Sequence, residues 1–356
     1  MAGLVEHRDE AGIEPVALVL EDGPLVARLQ QAGIAVEVID AGRLRDPRMV
    51  LRVARSIDRA IRRDRPQLVF ANLGKAHLYS ALPARARRIP SIWFQATIPE
   101  PHWMDRLATL LPARAVLAPS THAARAQATI APHRPVHVLH PGIDLVQHSA
   151  GPTSPIRGRL GLEAGTPLVG LVGRLQPWKG QREFLRAAKL VLRDHPRAHF
   201  AVVGGAILGR EGAYPQELEQ LARDLGIAER VTFTGHTREV PGWMRALDVV
   251  VNASSPEPFG LVIIEAMAAG RPVVAVGGGG GPADIIEHGR TGILCPDRTP
   301  EMLAEGIGAL LADPQLRQAI GARGRAVVEE RFSVQHMARA FGVIVREVLT
   351  PSSPST

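Results

Sequence analysis

The sequence is poor in cysteine and aromatic residues and has no long apolar run, and each shortage excludes a class of protein. Its single cysteine, Cys295, can form neither an internal disulfide nor a thiolate cage for zinc. Aromatic residues make up 4% of the chain, which leaves little to stack on nucleic-acid bases. No apolar run approaches the roughly 18 residues that span a bilayer, and the first residues lack a signal-peptide core. These shortages predict a globular cytoplasmic protein that does not bind nucleic acid.

Lysine is also scarce, and arginine carries almost all of the positive charge. The net charge is +7, and only three of the 42 Lys and Arg residues are lysines, at positions 75, 179 and 189. We expect the arginines to be dispersed rather than blocked, which favours small anions or a membrane surface over nucleic acid as partners. A lysine in such a chain marks a position that needs a compact ammonium group.

Length and pattern together predict two α/β domains. A chain of 356 residues exceeds one ordinary domain. Short apolar runs alternate with segments of helical period, which is typical of βαβ units and parallel sheets. A stretch rich in Pro, Gly and Ser at Pro141–Gly165 indicates a linker. We therefore predict one domain at 1–150, a second at 151–332, and a final segment at 333–356 that is helical before a frayed tail.

Six strands are predicted in each half of the chain. In the first half they cover 15–20, 34–40, 67–71, 91–96, 115–119 and 136–140, and in the second 168–173, 199–203, 230–234, 248–252, 272–276 and 292–296. The predicted helices are 48–63 in the first half and 181–193, 215–225, 240–247, 260–269, 300–311 and 314–331 in the second. Ligands of such sheets bind at the carboxyl ends of the strands, so the loops after these strands are candidate site residues.

The segment Gly173–Gly180 (GRLQPWKG) follows a predicted strand and opens a helix. It carries Arg174 and Lys179, and two cations next to the N–H groups of a helix start suit a diphosphate. A solvated loop is the alternative, and it is the stronger reading for Arg174 alone. The rarity of lysine favours phosphate binding by Lys179.

Two glutamates flank a second apolar segment. Glu257 is predicted in the loop before a helix, where an acid also acts as a helix cap. Glu265 falls in the second turn of that helix, where a buried unpaired carboxylate costs free energy. We expect Glu265 to have a partner, either the two hydroxyls of a ribose or a cation of the protein. The five glycines Gly277–Gly281 fit either a flexible loop or a close approach of backbone to a ligand.

Taken in order, these segments closely resemble the donor domain of the retaining GT-B glycosyltransferases of family 4. The resemblance covers most of 165–331 and rests on GRLQPWKG, FTGH at 233–236, EPFGLVIIEAMAAGRPVVA from Glu257 and GGGGGPADIIEHGRTGIL from Gly277. It implies two Rossmann-like, doubly wound domains facing each other across a cleft, with the segment after Ser333 crossing back to the first. It also implies transfer of a sugar, with retention, from a UDP- or GDP-sugar to a glycan, lipid or small-molecule acceptor.

The resemblance implies a role for each motif residue. Arg174 and Lys179 match the cations that stabilise the leaving diphosphate, and Glu257 matches the acid beside the donor sugar. Fixed positive charge would assist departure without a metal or other cofactor, and the sequence has no Asp-x-Asp motif. The remaining implied donor residues are Gly173 in the phosphate loop, Phe259, Gly260 and Leu261 through their backbone, Glu265 at the ribose, and Thr234, Gly235 and His236 at the base.

The first half departs from the family pattern in two ways. Many relatives carry a histidine where this chain has Gln95, and an amide cannot act as a general base. Gln95 and His102 are the candidate residues on the acceptor side. The family also opens with a strand and a glycine-rich loop, and nothing before Pro15 resembles either. We expect a gap where that central strand would lie, through a late start of the sequence or an altered sheet.

Two further matters stay open at the level of sequence. Arg52, Arg55, Arg59 and Arg62 form a stripe on the helix at 48–63, which fits either contact with anionic lipid at the inner face of the membrane or a solvated helix face. The lack of a large exposed aromatic residue favours the solvated face. A nucleotide-sugar epimerase of the same fold and a non-catalytic nucleotide-sugar binding protein remain alternatives to a transferase.

Overall fold

The computed structural model describes residues 2–42, 46–100, 103–148, 155–206, 212–278 and 280–350. The chain divides into two compact units: unit 1 is Met1–Gly142 with Val334–Thr356, and unit 2 is Ile143–Ser333. The division therefore falls after Gly142 and not near Gly151. The reason is that Ile143 forms a β-bridge with Ser333 and is buried in the core of unit 2, so the predicted linker belongs to that unit.

Unit 1 alternates strands and helices. Its strands are β1 Val16–Val19, β2 Ala35–Val38, β3 Val69–Asn72, β4 Ser91–Phe94, β5 Ala115–Ala118 and β6 Val136–Val138. Its helices before the division are α1 Ala2–Glu6, α2 Arg8–Ala11, α3 Pro24–Gln31, α4 Pro47–Asp64, α5 Gly74–Ala86, α6 Trp103–Leu110 and α7 Thr121–Ile130. Asp46 caps α4 by accepting from the N–H groups of Arg48 and Met49, and Ser120 caps α7 in the same way.

The strands of unit 1 form two parallel sheets instead of one. β1 pairs with β2, while β3, β4, β5 and β6 form a four-stranded sheet in that order. One apolar cluster joins the two sheets, because Leu18 of β1 and Val69 of β3 both pack with residues of α4 and α5. β3 is only partly buried, whereas every residue of β4 and β5 is buried. This break is the gap expected of a doubly wound sheet without its central strand.

Unit 2 holds a six-stranded parallel sheet in the order β12-β11-β10-β7-β8-β9. The strands are β7 Leu168–Val172, β8 His199–Val203, β9 Val231–Phe233, β10 Val249–Asn252, β11 Val273–Val276 and β12 Ile293–Cys295. The helices are α8 Leu145–His148, α9 Ile156–Arg159, α10 Gln181–Asp194, α11 Tyr214–Asp224, α12 Val240–Ala246, α13 Leu261–Ala268, α14 Pro282–Ile285, α15 Pro300–Ala312 and α16 Pro314–Arg331. Pro177–Lys179 and Ala228–Arg230 are 3₁₀ turns.

The strands of unit 2 are apolar without alternation because helices cover both faces of the sheet. Val169 and Leu171 of β7 enter the core on one face, and Leu168 and Val172 enter the core on the other. All twelve predicted strands are present, with ends within about two residues of the predicted ones. The helix predicted at 314–331 has the predicted bounds.

The last helix, α17 Val334–Leu349, belongs to unit 1. Its apolar face packs with Leu4, Ala11 and Ile92 in one core cluster, and Phe341 lies 4.9 Å from Phe70 between ring centroids. A Cβ on Gly342 would lie 2.2 Å from the carbonyl oxygen of Ala11, so the backbones of α17 and α2 are in direct contact. The N-terminal helices and the C-terminal helix thus share one layer.

The structure shows where the single cysteine lies and whether a described helix is long and apolar enough to cross a membrane. Cys295 ends β12 and is buried, and burial raises the pKa of its thiol to about 11. Among the described residues, no helix combines the length and the apolar character that a bilayer crossing requires.

The contact at Gly342 makes a prediction about stability. Gly342→Ala should lower the free energy of unfolding by about 1–3 kcal/mol, because the added methyl group meets backbone that cannot rotate away. Gly308→Ala, in α15 with open space around its Cβ, should raise it by up to about 1 kcal/mol through helix propensity. Urea denaturation of both variants measures the difference. Equal stability of the two would contradict the packing of α17 on α2.

Candidate donor site in unit 2

The candidate site lies along one edge of the sheet in unit 2. All neighbouring strands of this sheet are parallel, so the loops that follow them leave from the same edge. The loops after β7, β8, β9, β10 and β11 begin at Gly173, Gly204, Thr234, Ala253 and Gly277. Every predicted donor residue lies in one of these loops or in the helix that follows it.

The loop after β7 passes very close to neighbouring backbone. The N–H of Gly173 donates to the carbonyl of Val203 at 2.9 Å. Gly180 has a φ of +77°, and a Cβ there would lie 2.3 Å from the carbonyl oxygen of Ala253. Both the left-handed backbone and the close approach require glycine at this position. The loop after β7 is therefore held against the loop after β10.

A buried glutamine fixes the same loop from inside. The side chain of Gln181 is fully buried, and its Nε2 donates to the carbonyl of Arg174 at 2.8 Å. Its Oε1 accepts from the hydroxyl of Tyr214 at 3.1 Å, and burial raises the pKa of Tyr214 to about 12. The backbone of Arg174 is thereby fixed, while its side chain is exposed and forms no ion pair with any described residue.

Lys179 and Glu257 meet at the centre of the site. Lys179 Nζ lies 2.8 Å from Glu257 Oε2, and the two side chains are only 17% and 8% exposed. Asn252, at the end of β10, donates from Nδ2 to the same oxygen at 3.5 Å. The ammonium also lies 3.9 Å from the ring centroid of Trp178, a favourable position over an aromatic face. A cation is thus fixed between a carboxylate and an aromatic ring.

Trp178 ties the loops after β7 and β10 together. Its indole N–H donates to Gln176 Oε1 at 3.0 Å, which sets the orientation of the ring under the ammonium. Its carbonyl accepts from the N–H of Ser255 at 3.0 Å and from Arg298 Nη1 at 3.1 Å. Sequence reasoning did not single out Trp178, Gln181, Asn252 or Arg298. The position of Asn252 as the last residue of a central strand is a signal that could have found it.

Glu265 has no partner among the described residues. It lies in α13 between the buried residues Ile264 and Ala266, and no hydrogen bond or ion pair involves its carboxylate. Desolvation raises its pKa above the ordinary value for a glutamate. Of the two partners expected from the sequence, the cation of the protein is therefore not found in the described part of the chain.

The glycine run serves close packing between loops. A Cβ on Gly280 would lie 2.8 Å from the carbonyl oxygen of Glu257, and a Cβ on Gly281 would lie 2.5 Å from Cα of Phe259. The N–H of Gly281 donates to the carbonyl of Glu257 at 2.8 Å. Gly279 lies outside the described residues. The glycines thus allow the loop after β11 to pack closely against the loop of Glu257 and to support it.

The residues after Glu257 differ in burial. Phe259 is buried and packs edge-on against Phe332 with ring centroids 5.8 Å apart. Gly260 has a φ of +109°, and Leu261, 47% exposed, is the first residue of α13. The side chain of Phe259 therefore belongs to the core and is not available to a ligand.

The predicted base-binding segment lies at the ends of β8 and β9. Thr234 Oγ1 accepts from the N–H of Gly204 at 3.1 Å and donates to the carbonyl of Gly235 at 2.8 Å. A Cβ on Gly205 would lie 2.7 Å from the nitrogen of His236, so these two loops are also in backbone contact. His236 itself is exposed.

In unit 1, Gln95 supports the loop after β4. Its side chain is 3% exposed, and its Nε2 donates to Thr97 Oγ1 at 3.2 Å and to Asp105 Oδ1 at 3.3 Å. Asp105 also accepts from the N–H of Glu100 at 3.1 Å. His102, the other predicted acceptor residue, lies outside the described residues. Across the described ranges, no group of three His, Cys, Asp or Glu side chains is arranged to hold a metal ion.

The contact of Gly281 with Phe259 predicts how the site fails when the loops are pushed apart. Gly281→Ala should displace the loop of Glu257 and lower the free energy of unfolding by about 1–3 kcal/mol. Gly289→Ala, at a positive φ but with open space around its Cβ, is a control that strains the backbone without moving this loop. Urea denaturation measures both variants, and a wild-type free energy of unfolding in Gly281→Ala would contradict the proposed support.

Two family models match the chain in succession. Residues 1–147 match Glycosyltransferase Family 4, and residues 153–327 match Glycosyl transferases group 1. A curated relative, the D-inositol 3-phosphate glycosyltransferase of Mycobacteroides abscessus, is 38% identical over 229 residues, which is 62% of this chain and 49% of the relative. The chain thus spans about half the length of the curated relatives that it matches.

Solved structures resemble the whole chain. HepE of Anabaena in complex with UDP is 30% identical, with a TM-score of 0.83 over 97% of this chain and 96% of HepE. The complex of HepE with UDP-glucose gives a TM-score of 0.83 at 29% identity over the same shares of the two chains. The sucrose-phosphate synthase of Thermosynechococcus elongatus, at 22% identity and a TM-score of 0.77, supports the fold alone. The predicted fold is confirmed, and this chain belongs to the GT-B glycosyltransferases of group 1, family 4.

Proposed function

We propose that this chain transfers a sugar, with retention of configuration, from a UDP-sugar to a hydroxyl group of its acceptor. The observation that carries the proposal is the contact between Lys179 and Glu257 at the carboxyl edge of the sheet, followed along the chain by Glu265 in α13, whose carboxylate has no partner in the described structure. The choice of uridine over guanosine is supported by HepE, a 30% identical protein whose structures contain UDP and UDP-glucose.

The diphosphate of the donor would bind at Arg174 and Lys179. An ammonium has three N–H donors, and Lys179 uses one of them on Glu257, so the others remain for phosphate oxygens. The guanidinium of Arg174 is exposed and without an ion pair in the described structure, so it can approach the phosphate without breaking one. Both cations would stabilise the negative charge that grows on the leaving UDP.

The ribose would bind at Glu265. A carboxylate has two acceptor oxygens, and the two hydroxyls of a ribose are a matching pair of donors. The apolar helix around Glu265 desolvates the carboxylate, so a new pair of hydrogen bonds there strengthens binding more than at a solvated position. Binding of the nucleotide would then relieve a cost that the ligand-free protein carries.

Retention would follow from attack on the face of the sugar that the leaving group departs from. The bond between the anomeric carbon and the β-phosphate oxygen breaks, and the bond from that carbon to the acceptor oxygen forms on the same face. The acceptor proton moves to the departing phosphate oxygen, so no general base is required. This route needs no covalent glycosyl carboxylate and fits a site where Glu257 is already engaged by Lys179.

The acceptor is proposed to be a sugar or polyol hydroxyl, free or in a glycan or lipid. The curated relatives are named for D-inositol 3-phosphate. Incubation with UDP-glucose and a panel of inositol phosphates, monosaccharides and glycolipids, followed by mass spectrometry and NMR of the anomeric proton, tests both transfer and retention. An inverted product would contradict the proposed chemistry.

A non-catalytic nucleotide-sugar binding protein is the second candidate, favoured by the break in the sheet of unit 1. Such a protein would bind UDP-sugars through unit 2 without turnover. Release of free UDP, measured with a coupled assay in the presence and absence of acceptors, separates the two candidates. An epimerase would instead interconvert two UDP-sugars and release no UDP.

The role proposed for Lys179 predicts a large loss of affinity. Lys179→Ala should weaken UDP binding roughly 10- to 100-fold, because a charge-assisted hydrogen bond to phosphate contributes about 1.5–3 kcal/mol. The matched control is Lys189→Ala, since Lys189 is exposed in α10, the helix that follows the loop of Lys179, and is one of only three lysines. Calorimetric titration with UDP measures both. If Lys179→Ala bound UDP with wild-type affinity, Lys179 would not be a residue of the nucleotide site.

Replacing Glu265 is expected to stabilise the ligand-free protein and to weaken UDP binding. Because its pKa is raised by folding, the carboxylate destabilises the ligand-free protein, and this cost is absent below the ordinary pKa of a glutamate and grows as the pH rises through the raised value. Glu265→Gln should therefore raise the melting temperature by roughly 1–4 °C at pH 8 and change it little at pH 4.5.

The same variant should lose most of the stabilisation that UDP gives to the wild-type protein, because the amide replaces one acceptor oxygen. Glu219→Gln, at an exposed glutamate without an ion pair in the described structure, should change neither quantity. Thermal unfolding at both pH values, with and without UDP, gives all four comparisons. A lower melting temperature for Glu265→Gln at pH 8 would contradict the assignment.

A further inference from the structure

The net positive charge of the chain comes from one segment, although arginines occur along the whole sequence. Residues 48–88 contain ten arginines, Lys75 and only two acidic residues, Asp58 and Asp64, which gives this segment a net charge of +9. The whole chain has a net charge of +7, so all other residues together carry −2. The basic character of this protein therefore comes from the segment that forms α4, β3 and α5.

Every one of these basic side chains is exposed. Three of them form ion pairs: Arg62 and Arg87 with Asp58, and Arg63 with Glu37 and Asp64. The other eight form no ion pair with a described residue, and they are Arg48, Arg52, Arg55, Arg59, Arg65, Lys75, Arg85 and Arg88. Most of the charge on this surface is thus uncompensated within the described structure.

The exposed side chains of α4 form one amphipathic stripe. Arg48, Arg52, Arg55 and Arg59 follow each other at intervals of four, three and four residues, which places them on one face of the helix. The opposite face holds Val53, Ile57 and Ile61, which are buried in the core. α4 packs beside α5, and Asp58 of α4 pairs with Arg87 directly after α5. We call the exposed side of these two helices the basic face.

Two leucines lie among these cations. Leu51 of α4 is 50% exposed and Leu82 of α5 is 59% exposed, although both helices have a buried apolar side available. Exposed aliphatic side chains between arginines are typical of helices that lie in the interface of a bilayer, where the leucine enters the acyl region and the guanidinium binds lipid phosphate. Nucleic acid offers no comparable contact for a leucine, and α4 and α5 expose no aromatic residue that could stack on bases.

We propose that the basic face docks this protein on an anionic membrane surface. Arg48, Arg52, Arg55 and Arg59 bind lipid phosphates there, and Leu51 and Leu82 enter the headgroup boundary. Because the side chains at the contact remain close to water, salt screens the attraction, and the protein leaves the surface as ionic strength rises. This contact involves unit 1 and is independent of the proposed donor site in unit 2, so either proposal can fail without the other.

Sedimentation of the full chain with vesicles tests the proposal. With vesicles of phosphatidylcholine containing 30% phosphatidylglycerol, most of the protein should sediment at about 50 mM salt and little at about 500 mM. Vesicles of phosphatidylcholine alone should sediment none at either concentration. An absence of binding to the anionic vesicles at low salt overturns the proposal, and so does equal binding to both kinds of vesicle.

Two matched variants show whether the basic face is responsible. Replacing Arg48, Arg52, Arg55 and Arg59 with Gln should weaken vesicle binding roughly a hundred- to a thousandfold, since one cation near an anionic leaflet strengthens binding about fivefold. The control replaces Arg186, Arg193, Arg197 and Arg339, four exposed arginines elsewhere that have no ion pair in the described structure. Both variants remove four charges and should keep wild-type UDP binding. Equal loss of vesicle binding in the two assigns the effect to net charge and overturns the proposal.

The leucines separate a membrane from other polyanions. Replacing Leu51 and Leu82 with Ser should lower vesicle binding severalfold and leave binding to heparin and to double-stranded DNA at the same salt unchanged. Stronger binding of the wild-type chain to DNA than to anionic vesicles, with no effect of the leucines on either, would replace the membrane with nucleic acid as the partner and contradict the proposal.

Discussion

The close contact of backbones at the carboxyl edge of unit 2 is the constraint on which its site depends. A Cβ at Gly180 would lie 2.3 Å from the carbonyl of Ala253, and one at Gly281 would lie 2.6 Å from the carbonyl of Pro258. Only glycine allows three loops to meet in this way. Their contact brings Lys179 to within 2.8 Å of Glu257, although the two residues are 78 positions apart in the chain. The chemistry of the site is thus set by backbone packing.

The site contains one ion pair and one carboxylate that has no partner in the described structure. Lys179 and Glu257 are largely buried and neutralise each other, and Asn252 and Trp178 complete their surroundings. Glu265 has no such compensation in the described structure, and its raised pKa reflects that cost. A folded protein tolerates an unpaired carboxylate where a ligand provides the missing donors. This contrast supports the proposed ligand, which has both phosphate and hydroxyl groups.

In unit 1, basic residues are concentrated on the exposed side of α4 and α5. Its sheet is broken between β1 and β3, yet α4 and α5 span both parts with one continuous apolar cluster. The segment 48–88, which contains these two helices, has a net charge of +9 against +7 for the whole chain, and all of its basic side chains are exposed. The buried side of α4 and α5 thus links the two sheets of unit 1. Their exposed side carries positive charge that is mostly uncompensated within the described structure.

The alternation of apolar runs and helical periods was enough to locate all twelve strands, because helices covering both faces of a parallel sheet leave uninterrupted apolar segments. Motif order selected Lys179, Glu257 and Glu265 as candidate site residues. Sequence could not show that Lys179 pairs with Glu257, that Glu265 has no partner in the described structure, or that Gln181 and Trp178 hold the loop, because these depend on contacts between distant segments. It also placed the domain boundary too late, since the burial of Ile143 in unit 2 is a tertiary contact. The sequence by itself determined the strands and the charged residues in the loops and helices that follow them. Only the tertiary structure decided which of these charges are paired, because pairing depends on distance in space.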